Sequence, residues 1–174
     1  MSSVISRRLD QEPRRTQPLL PDLRQWTAAD VLALIRERHQ GVEWFYFEEL
    51  RFSTGYSADY AEKRIDAFAL NLLPMNHFAR YAYEVKVDRS DWLVEKKDPK
   101  KRRPWLWVSN RFYFVAPAGV VKIEEVPPEC GLVIVGEGTW HTAVAAPFRD
   151  SLPAPWQFVA SLVRRAQGQK EAGE

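Results

Sequence analysis

The segment Tyr81-Ala-Tyr-Glu-Val-Lys-Val87 constrains the fold of this chain most strongly. Its mixture of aromatic, β-branched and charged residues predicts a strand. Side chains alternate between the two faces of a strand, so Glu84 and Lys86 should share one face while the tyrosines and valines line the other. Because apolar sequence surrounds these charges, we expect them to be paired with each other or bound to an ion.

A second apolar strand is predicted upstream, over residues 64–70, and it carries Asp66. If the two strands pair as a hairpin, Asp66 lies beside Glu84. Carboxylates on adjacent strands are the hard oxygen ligands that Mg²⁺ prefers, and a neighbouring ammonium is suited to holding a water or a phosphate oxygen. Alone, however, a Glu-x-Lys pair is more typical of a solvated cross-strand ion pair, and Asp66 is equally typical of a strand end.

The remaining pattern predicts an α/β protein with a mixed central sheet flanked by helices. Thr27 has the character of a helix N-cap, and Pro99 predicts a break after the second helix. The last helix should pack Trp156, Val159, Leu162 and Val163 on the body of the protein. The further predicted elements are strands at 44–51, 111–116 and 132–135 and helices at 90–97 and 156–166.

Length and composition predict one domain over residues 25–168, with a flexible basic arm at 1–24 and a disordered tail at 169–174. The formal charge of +2 gives no global basic field, so any attraction to nucleic acid must be local. The single cysteine, Cys130, excludes an internal disulfide. That fits a reducing compartment, and the absence of a long apolar run predicts a cytoplasmic protein without a membrane association.

Several classes of site lack their sequence signatures. His39, His77 and His141 are too scattered for a zinc site, and we interpret them as surface or hydrogen-bonded residues. The sequence also has no glycine-rich phosphate loop, nucleophile elbow or dinucleotide fingerprint. Nucleotide-driven chemistry is therefore not expected.

A strongly basic segment follows the predicted second helix. Six cations against Glu95 and Asp98 give it a local charge of +4, and Trp92, Trp105 and Trp107 bracket it. The cations are Lys96, Lys97, Lys100, Lys101, Arg102 and Arg103. We interpret the segment as a contact for the DNA backbone, with the tryptophans available for stacking on unpaired bases. The alternative is a solvated charge run beside core tryptophans.

The order of these pieces resembles the PD-(D/E)XK nuclease superfamily, and within it the MmcB-like DNA repair and phage branch. The resemblance covers about residues 43 to 135. It is carried by Glu49-Leu-Arg51, Arg64-Ile-Asp66-Ala, Tyr83-Glu84-Val-Lys86, Arg89-Ser-Asp91-Trp, Asn110-Arg-Phe-Tyr-Phe-Val-Ala-Pro117 and Cys130-Gly-Leu-Val-Ile-Val135. Each piece alone is a weak signal, and the specificity comes from their order and spacing.

The resemblance implies a restriction-endonuclease-like αβββαβ core and a metal-dependent DNA nuclease, with DNA repair, recombination or phage biology as its setting. Asp66, Glu84 and Lys86 would be catalytic. Mg²⁺ or Mn²⁺ would be held by Asp66, Glu84 and the backbone carbonyl of Val85, with Glu49 as a further carboxylate. The supporting residues would be Arg64, Asp88 and Ser90. The alternatives are a nuclease fold that binds nucleic acid without cutting it, and a phage or regulatory interaction protein in which the charges form only a structural network.

Overall fold

The computed structural model describes residues 25–52, 63–136, 138–150 and 152–171. In this part of the chain, six strands form one sheet whose order follows the sequence. The strands are β1 (Trp44–Arg51), β2 (Arg64–Asn71), β3 (Arg80–Val85), β4 (Arg111–Pro117), β5 (Gly131–Gly136) and β6 (Thr139–Val144). The helices are α1 (Ala28–Arg38), α2 (Arg89–Lys97), α3 (Pro99–Val108) and α4 (Trp156–Glu171), and short 3₁₀ turns lie at Pro74–Asn76 and Ile123–Glu125.

The sheet mixes both kinds of strand pairing. β1, β2 and β3 form an antiparallel meander, β4 and β5 run parallel to β3, and β6 is antiparallel to β5. Parallel neighbours need a long crossover connection, and α2 and α3 supply it between β3 and β4. The prediction of a mixed sheet flanked by helices is therefore confirmed.

The sheet has two buried faces, and β3 contributes to both. The front face, which carries Ala82, packs against side chains of α2, α3 and α4, including Trp92, Trp105 and Phe158. The back face, which carries Tyr83 and Val85, packs against α1. This alternation along β3 is the one that the period-two pattern predicts.

Local sequence explains where the helices begin. At α1, Thr27 Oγ1 accepts a hydrogen bond from the backbone of Asp30, and the Asp30 carboxylate accepts one from the backbone of Thr27. Asp88 caps α2 by accepting from Ser90 N, at 2.6 Å. Asp98 ends α2 and caps α3, which has Pro99 in its first turn, where a missing N–H costs nothing.

Two elements were not predicted. The Pro99 break is real, but a new helix starts at that residue, and α3 also accommodates Pro104 on its buried side. β6 follows β5 in the chain, and Gly138, directly before β6, has a φ of 64°. A glycine tolerates that backbone conformation, so the Gly-Glu-Gly sequence after β5 was the available signal.

The C-terminal helix differs from its prediction. Trp156 is 83 % exposed and Val163 is exposed, so neither packs as expected, whereas Phe158 is buried. The helix continues to Glu171, beyond the predicted domain end at 168. The predicted basic arm at 1–24 and residues 172–174 lie outside the described residues.

Two further sequence predictions concern Cys130 and the membrane. Cys130 is buried, and this burial raises the pKa of its thiol to about 12. A thiol with so high a pKa is a poor nucleophile at neutral pH. Within the described residues, no helix combines the length and the apolar character needed to cross a membrane.

Candidate active site

Asp66 occupies the point at which β2 and β3 stop pairing. The ladder between them ends at Ala67 and Tyr83, and Val85 would face Ile65 had it continued. Instead, the Asp66 carboxylate accepts the hydrogen bond from Val85 N, at 2.8 Å. Ile65 packs in the front core and Ala67 in the back core, although a regular strand would place them on one face. The regular alternation of β2 therefore breaks at Asp66, and its side chain takes the place of a main-chain partner for β3.

Glu84 and Lys86 lie together at the end of β3, buried on the front side of the sheet. Their side chains are only 5 % and 9 % exposed. Lys86 Nζ lies 2.9 Å from Glu84 Oε1 and 3.4 Å from Glu95 Oε2. Lys101, from α3, also enters this group, and its Nζ lies 2.7 Å from Glu84 Oε1 and 2.8 Å from Glu95 Oε2. The result is a closed network of two carboxylates and two ammonium groups, which we call the ion network.

The electrostatic environment of Glu84 combines opposing effects on its pKa. Burial raises the pKa of its carboxyl group, the carboxylate of Asp66 raises it further, and Lys86 and Lys101 act in the opposite direction. For Lys101, burial lowers the pKa of the ammonium group, but Glu84 and Glu95 outweigh this effect and the net shift is upward. Lys101 therefore remains charged and acts as a counter-ion for both carboxylates.

The residues predicted to hold a metal offer three oxygen ligands. Among the described residues, hydrogen bonds reach only Oδ2 of Asp66 and only Oε1 of Glu84, which leaves one oxygen of each carboxylate for another ligand. The backbone N–H of Lys86 donates to Val115 on β4. In a trans peptide the C=O of Val85 points the opposite way, towards β2 and Asp66. Because Mg²⁺ usually keeps several waters and uses one or two carboxylates, this donor set fits it.

Glu49 does not join this group. It has a φ of 49°, its side chain is 60 % exposed, and its carboxylate lies 3.5 Å from the guanidinium of Arg64. No cluster of three or more His, Cys, Asp or Glu side chains suited to a metal occurs in the described residues. The prediction that Glu49 adds a carboxylate to the site is therefore wrong. Its neighbour Glu48 lies on the back side of the sheet, where it accepts hydrogen bonds from Arg36 and Tyr46.

The predicted supporting residues have structural roles instead. Arg64 pairs with the exposed Glu49. Asp88 and Ser90 form the cap of α2, and both are exposed. α2 itself is held in place by Glu125, which accepts hydrogen bonds from Arg89, at 2.7 Å, and from the indole of Trp92, at 2.9 Å. These contacts fix the helix that carries Glu95.

The basic segment divides into internal and external cations. Arg102 is buried and forms two hydrogen bonds with Glu129, and Lys101 belongs to the ion network, so neither is available as a simple surface contact. Lys97, Lys100 and Arg103 are exposed and form no ion pair with the described residues, and Lys96 lies 3.6 Å from Glu125. Trp92 and Trp105 are core residues and cannot stack on bases. Trp107 is partly exposed.

Glu95 is the site residue that sequence reasoning missed. It was counted only as an anion within the basic segment, but its side chain is 3 % exposed and contacts both lysines. The signal was its spacing from Trp92, because residues three apart on a helix lie on the same face. A tryptophan that packs on the sheet therefore places Glu95 on the buried side of α2.

The histidines are not part of the site. His39 is buried behind the sheet, where its Nε2 lies 2.8 Å from the hydroxyl of Tyr83. Burial lowers the pKa of His39 to about 4, and the charge of Arg38 contributes to the same shift. His77 is exposed and His141 is half-buried on β6.

Comparisons with known proteins identify the fold and no activity. Neither family models nor curated proteins gave a match to this chain. A solved structure of a protein of unknown function from Silicibacter pomeroyi is similar to it, with a TM-score of 0.53 and 20 % identity, over 90 % of this chain and 96 % of that one. The likeness supports the α/β architecture over nearly the whole chain.

Proposed function

We propose that this protein is a metal-dependent DNA nuclease that hydrolyses phosphodiester bonds. One observation carries the proposal: Asp66 and Glu84 lie on adjacent strands near the point where these strands stop pairing, the charge of Asp66 acts on Glu84, and Lys86 Nζ lies 2.9 Å from Glu84 Oε1. The sequence resemblance to PD-(D/E)XK nucleases supports it. So does the order of elements, because a helix, three antiparallel strands, a helical crossover and a parallel strand correspond to an αβββαβ core.

Each residue has a definite role in this proposal. Asp66, Glu84 and the carbonyl of Val85 would hold Mg²⁺ or Mn²⁺, which when bound supplies charge stabilisation at the scissile phosphate and a more acidic water. Lys86 would orient that water through its ammonium group. The hydrogen bond from Val85 N to Asp66 fixes this carboxylate relative to the end of β3.

The exposed cations of the basic segment, Lys97, Lys100 and Arg103, would contact the phosphate backbone. The reduced, buried Cys130 is in keeping with action in the cytoplasm. DNA repair, recombination or phage biology would be the setting that the sequence resemblance suggests.

A second candidate is a nucleic-acid-binding or interaction protein that does not cut. The closed ion network favours it, because Glu84 and Glu95 each have two ammonium partners and need no metal to offset their charge. A buried network of this kind is compatible with a purely structural role. The two candidates differ in whether a divalent ion binds and whether DNA is cleaved.

Cleavage of single-stranded, duplex, flap and branched DNA with Mg²⁺, Mn²⁺ or EDTA tests the proposal. Lys86→Met should retain metal binding through Asp66 and Glu84 and lose roughly 10²–10⁴-fold in cleavage rate, the usual contribution of a positioned acid–base group. Glu84→Gln should abolish both Mn²⁺ binding and cleavage, because it deletes the charge of a ligand. Glu95→Gln is the matched control: it removes the same charge from the same network and should retain Mn²⁺ binding.

Circular dichroism shows whether each variant is folded, which matters because breaking a buried ion pair is strongly destabilising, by about 3–5 kcal/mol. The nuclease proposal fails if the wild-type protein cleaves no substrate with either metal while all folded variants bind DNA as it does. That outcome would establish the non-cutting alternative.

A further inference from the structure

We infer that Lys101 couples DNA binding to metal binding at the proposed site, an inference that rests on the proposed function and deepens it. Its Nζ lies between the carboxylates of Glu84 and Glu95, within 2.8 Å of an oxygen of each. Lys101 therefore holds a cation against a proposed metal ligand. Its neighbours in the sequence belong to the basic segment, so the same side chain lies within reach of the proposed DNA surface.

A divalent ion and the Lys101 ammonium compete for Glu84. Two cations close to one carboxylate repel each other, and this repulsion is large where water is excluded. With Asp66 included, three carboxylates and two ammonium groups carry a formal charge of −1. Adding a divalent ion would make the site +1. Withdrawal of Lys101 would restore neutrality, so metal binding favours a conformation in which Lys101 has left.

Lys101 is free to leave, whereas Lys86 is not. The Lys101 side chain is 39 % exposed and reaches the network from the surface of α3. The Lys86 side chain is 9 % exposed and arises from the central sheet. Because Lys86 contacts both Glu84 and Glu95, each buried carboxylate keeps an ammonium partner after Lys101 is withdrawn. The cost of opening is thus smaller than the cost of exposing an unpaired buried charge.

DNA provides the alternative partner for Lys101. Lys97, Lys100 and Arg103 flank it along the chain and are exposed, so a phosphate held among them attracts the Lys101 ammonium outward. DNA binding therefore frees Glu84 for the metal, and metal binding releases Lys101 for the DNA. Such coupling is reciprocal: each ligand raises the affinity for the other by the same factor.

Mn²⁺ binding to the DNA-free protein, measured by electron paramagnetic resonance, tests this inference without any cleavage assay. Lys101→Met should bind Mn²⁺ about 5- to 150-fold more tightly than wild type, the usual range of a coupling between two sites. Lys101→Arg keeps the charge and should bind Mn²⁺ no more tightly than wild type. Lys100→Met is the matched control, because it removes an exposed lysine one residue away that does not contact Glu84.

The second measurement is the affinity for a phosphorothioate fork DNA with Mn²⁺ or with EDTA, by fluorescence anisotropy. Mn²⁺ should tighten DNA binding by wild type and by Lys100→Met, although the latter binds more weakly in both conditions. For each variant, the DNA affinity with Mn²⁺ is divided by the DNA affinity with EDTA. This ratio should be smaller in Lys101→Met than in wild type, by the same factor by which Lys101→Met binds Mn²⁺ more tightly. Lys101→Gln, whose amide can still donate to Glu84, replaces the methionine variant if that variant does not fold.

The outcomes separate this inference from the proposed function. Equal Mn²⁺ affinity in wild type and in a folded neutral variant of Lys101 would overturn the coupling role and leave the metal site standing. Failure of every variant to bind Mn²⁺, with or without DNA, would overturn the metal site itself. Mn²⁺ binding by the neutral variants alone would support the inference in its strongest form.

Discussion

Asp66 illustrates how one side chain serves both the fold and the proposed chemistry. Its carboxylate accepts the backbone N–H of Val85, which would otherwise lack a partner at the point where β2 and β3 separate. A buried N–H without a partner costs about 1–3 kcal/mol. The same carboxylate raises the pKa of Glu84, so its charge acts on the second proposed metal ligand.

Two substitutions of Asp66 separate these roles. Asp66→Ala should lower the free energy of unfolding by about 1–3 kcal/mol, because Val85 N loses its acceptor. Asp66→Asn should cost less, since the amide oxygen can still accept that bond. Both should lose Mn²⁺ binding, because both remove the charge. Urea denaturation and Mn²⁺ titration of the two variants check this.

Equal stability of the alanine and asparagine variants in urea would contradict the structural role of Asp66. Mn²⁺ binding by the asparagine variant as tight as that of wild type would remove Asp66 from the proposed metal site. Glu95→Gln is again the charge control, since Glu95 contacts the two lysines without bonding the end of β3.

At the residue scale, the sequence predicted the part of the site that depends on strand periodicity. Alternation along β3 was enough to place Glu84 and Lys86 together and the tyrosines opposite them. It could not place Glu49, whose positive φ interrupts the alternation of β1. A local backbone distortion of this kind leaves no periodic signal, so the Glu-x-Arg pattern alone was misleading.

At the scale of elements, the break between α2 and α3 builds the ion network. Glu95 and Lys101 are six residues apart. On one continuous helix that spacing, at about 100° per residue, would put their side chains on different faces. The chain instead ends α2 and starts α3 at Asp98, which allows both side chains to reach Glu84 and Lys86. Pro99 predicted a break only, and the charge of the basic segment predicted an external contact for Lys101, whereas Lys101 belongs to the ion network.

The same break sorts the cations of the basic segment, and this sorting can be tested. Neutralising Lys97, Lys100 and Arg103 together should weaken DNA binding across all sequences. The plot of log affinity against log salt concentration should also become flatter. On duplex DNA its slope should change by up to about 2.7, because each lost phosphate contact contributes about 0.9. Fluorescence anisotropy at several salt concentrations measures both effects.

Arg102→Met is the control for this experiment, because Arg102 lies in the same segment but is buried against Glu129. It should reduce stability and leave the salt dependence of DNA binding unchanged. An unaltered slope in the triple variant would identify the exposed cations as a solvated face. A flattened slope in Arg102→Met would show that the buried pair opens to bind DNA.

At the scale of the whole molecule, the sheet separates two cores. The back core packs on α1 and the front core on α2, α3 and α4, and the ion network lies within the front layer. Hydrophobic patterning predicted a mixed sheet flanked by helices, but it did not assign the helices to the two faces of the sheet. Patterning did not predict the packing face of α4, because apolar residues occur on more than one side of that helix.

α4 joins distant parts of the chain on the front side. The hydroxyl of Ser161 donates to the carbonyl of Arg51 at the end of β1, at 2.6 Å. The ring of Phe158 stacks on Phe52, with centroids 5.4 Å apart, and meets the edge of Trp105 on α3, at 6.1 Å. Since α3 carries Lys101, the last helix supports the element on which the ion network depends.

Phe158→Ala and Trp156→Ala form a matched pair that tests this arrangement. Both remove an aromatic ring from α4, two positions apart. Phe158 is 1 % exposed, so its loss should lower the free energy of unfolding by about 3–5 kcal/mol, through lost burial and the cavity that remains. Trp156 is 83 % exposed, so its loss should change stability by no more than about 0.5 kcal/mol. Urea denaturation compares the two, and an equal cost would mean that α4 packs through the face that bears Trp156, as the sequence alone had predicted.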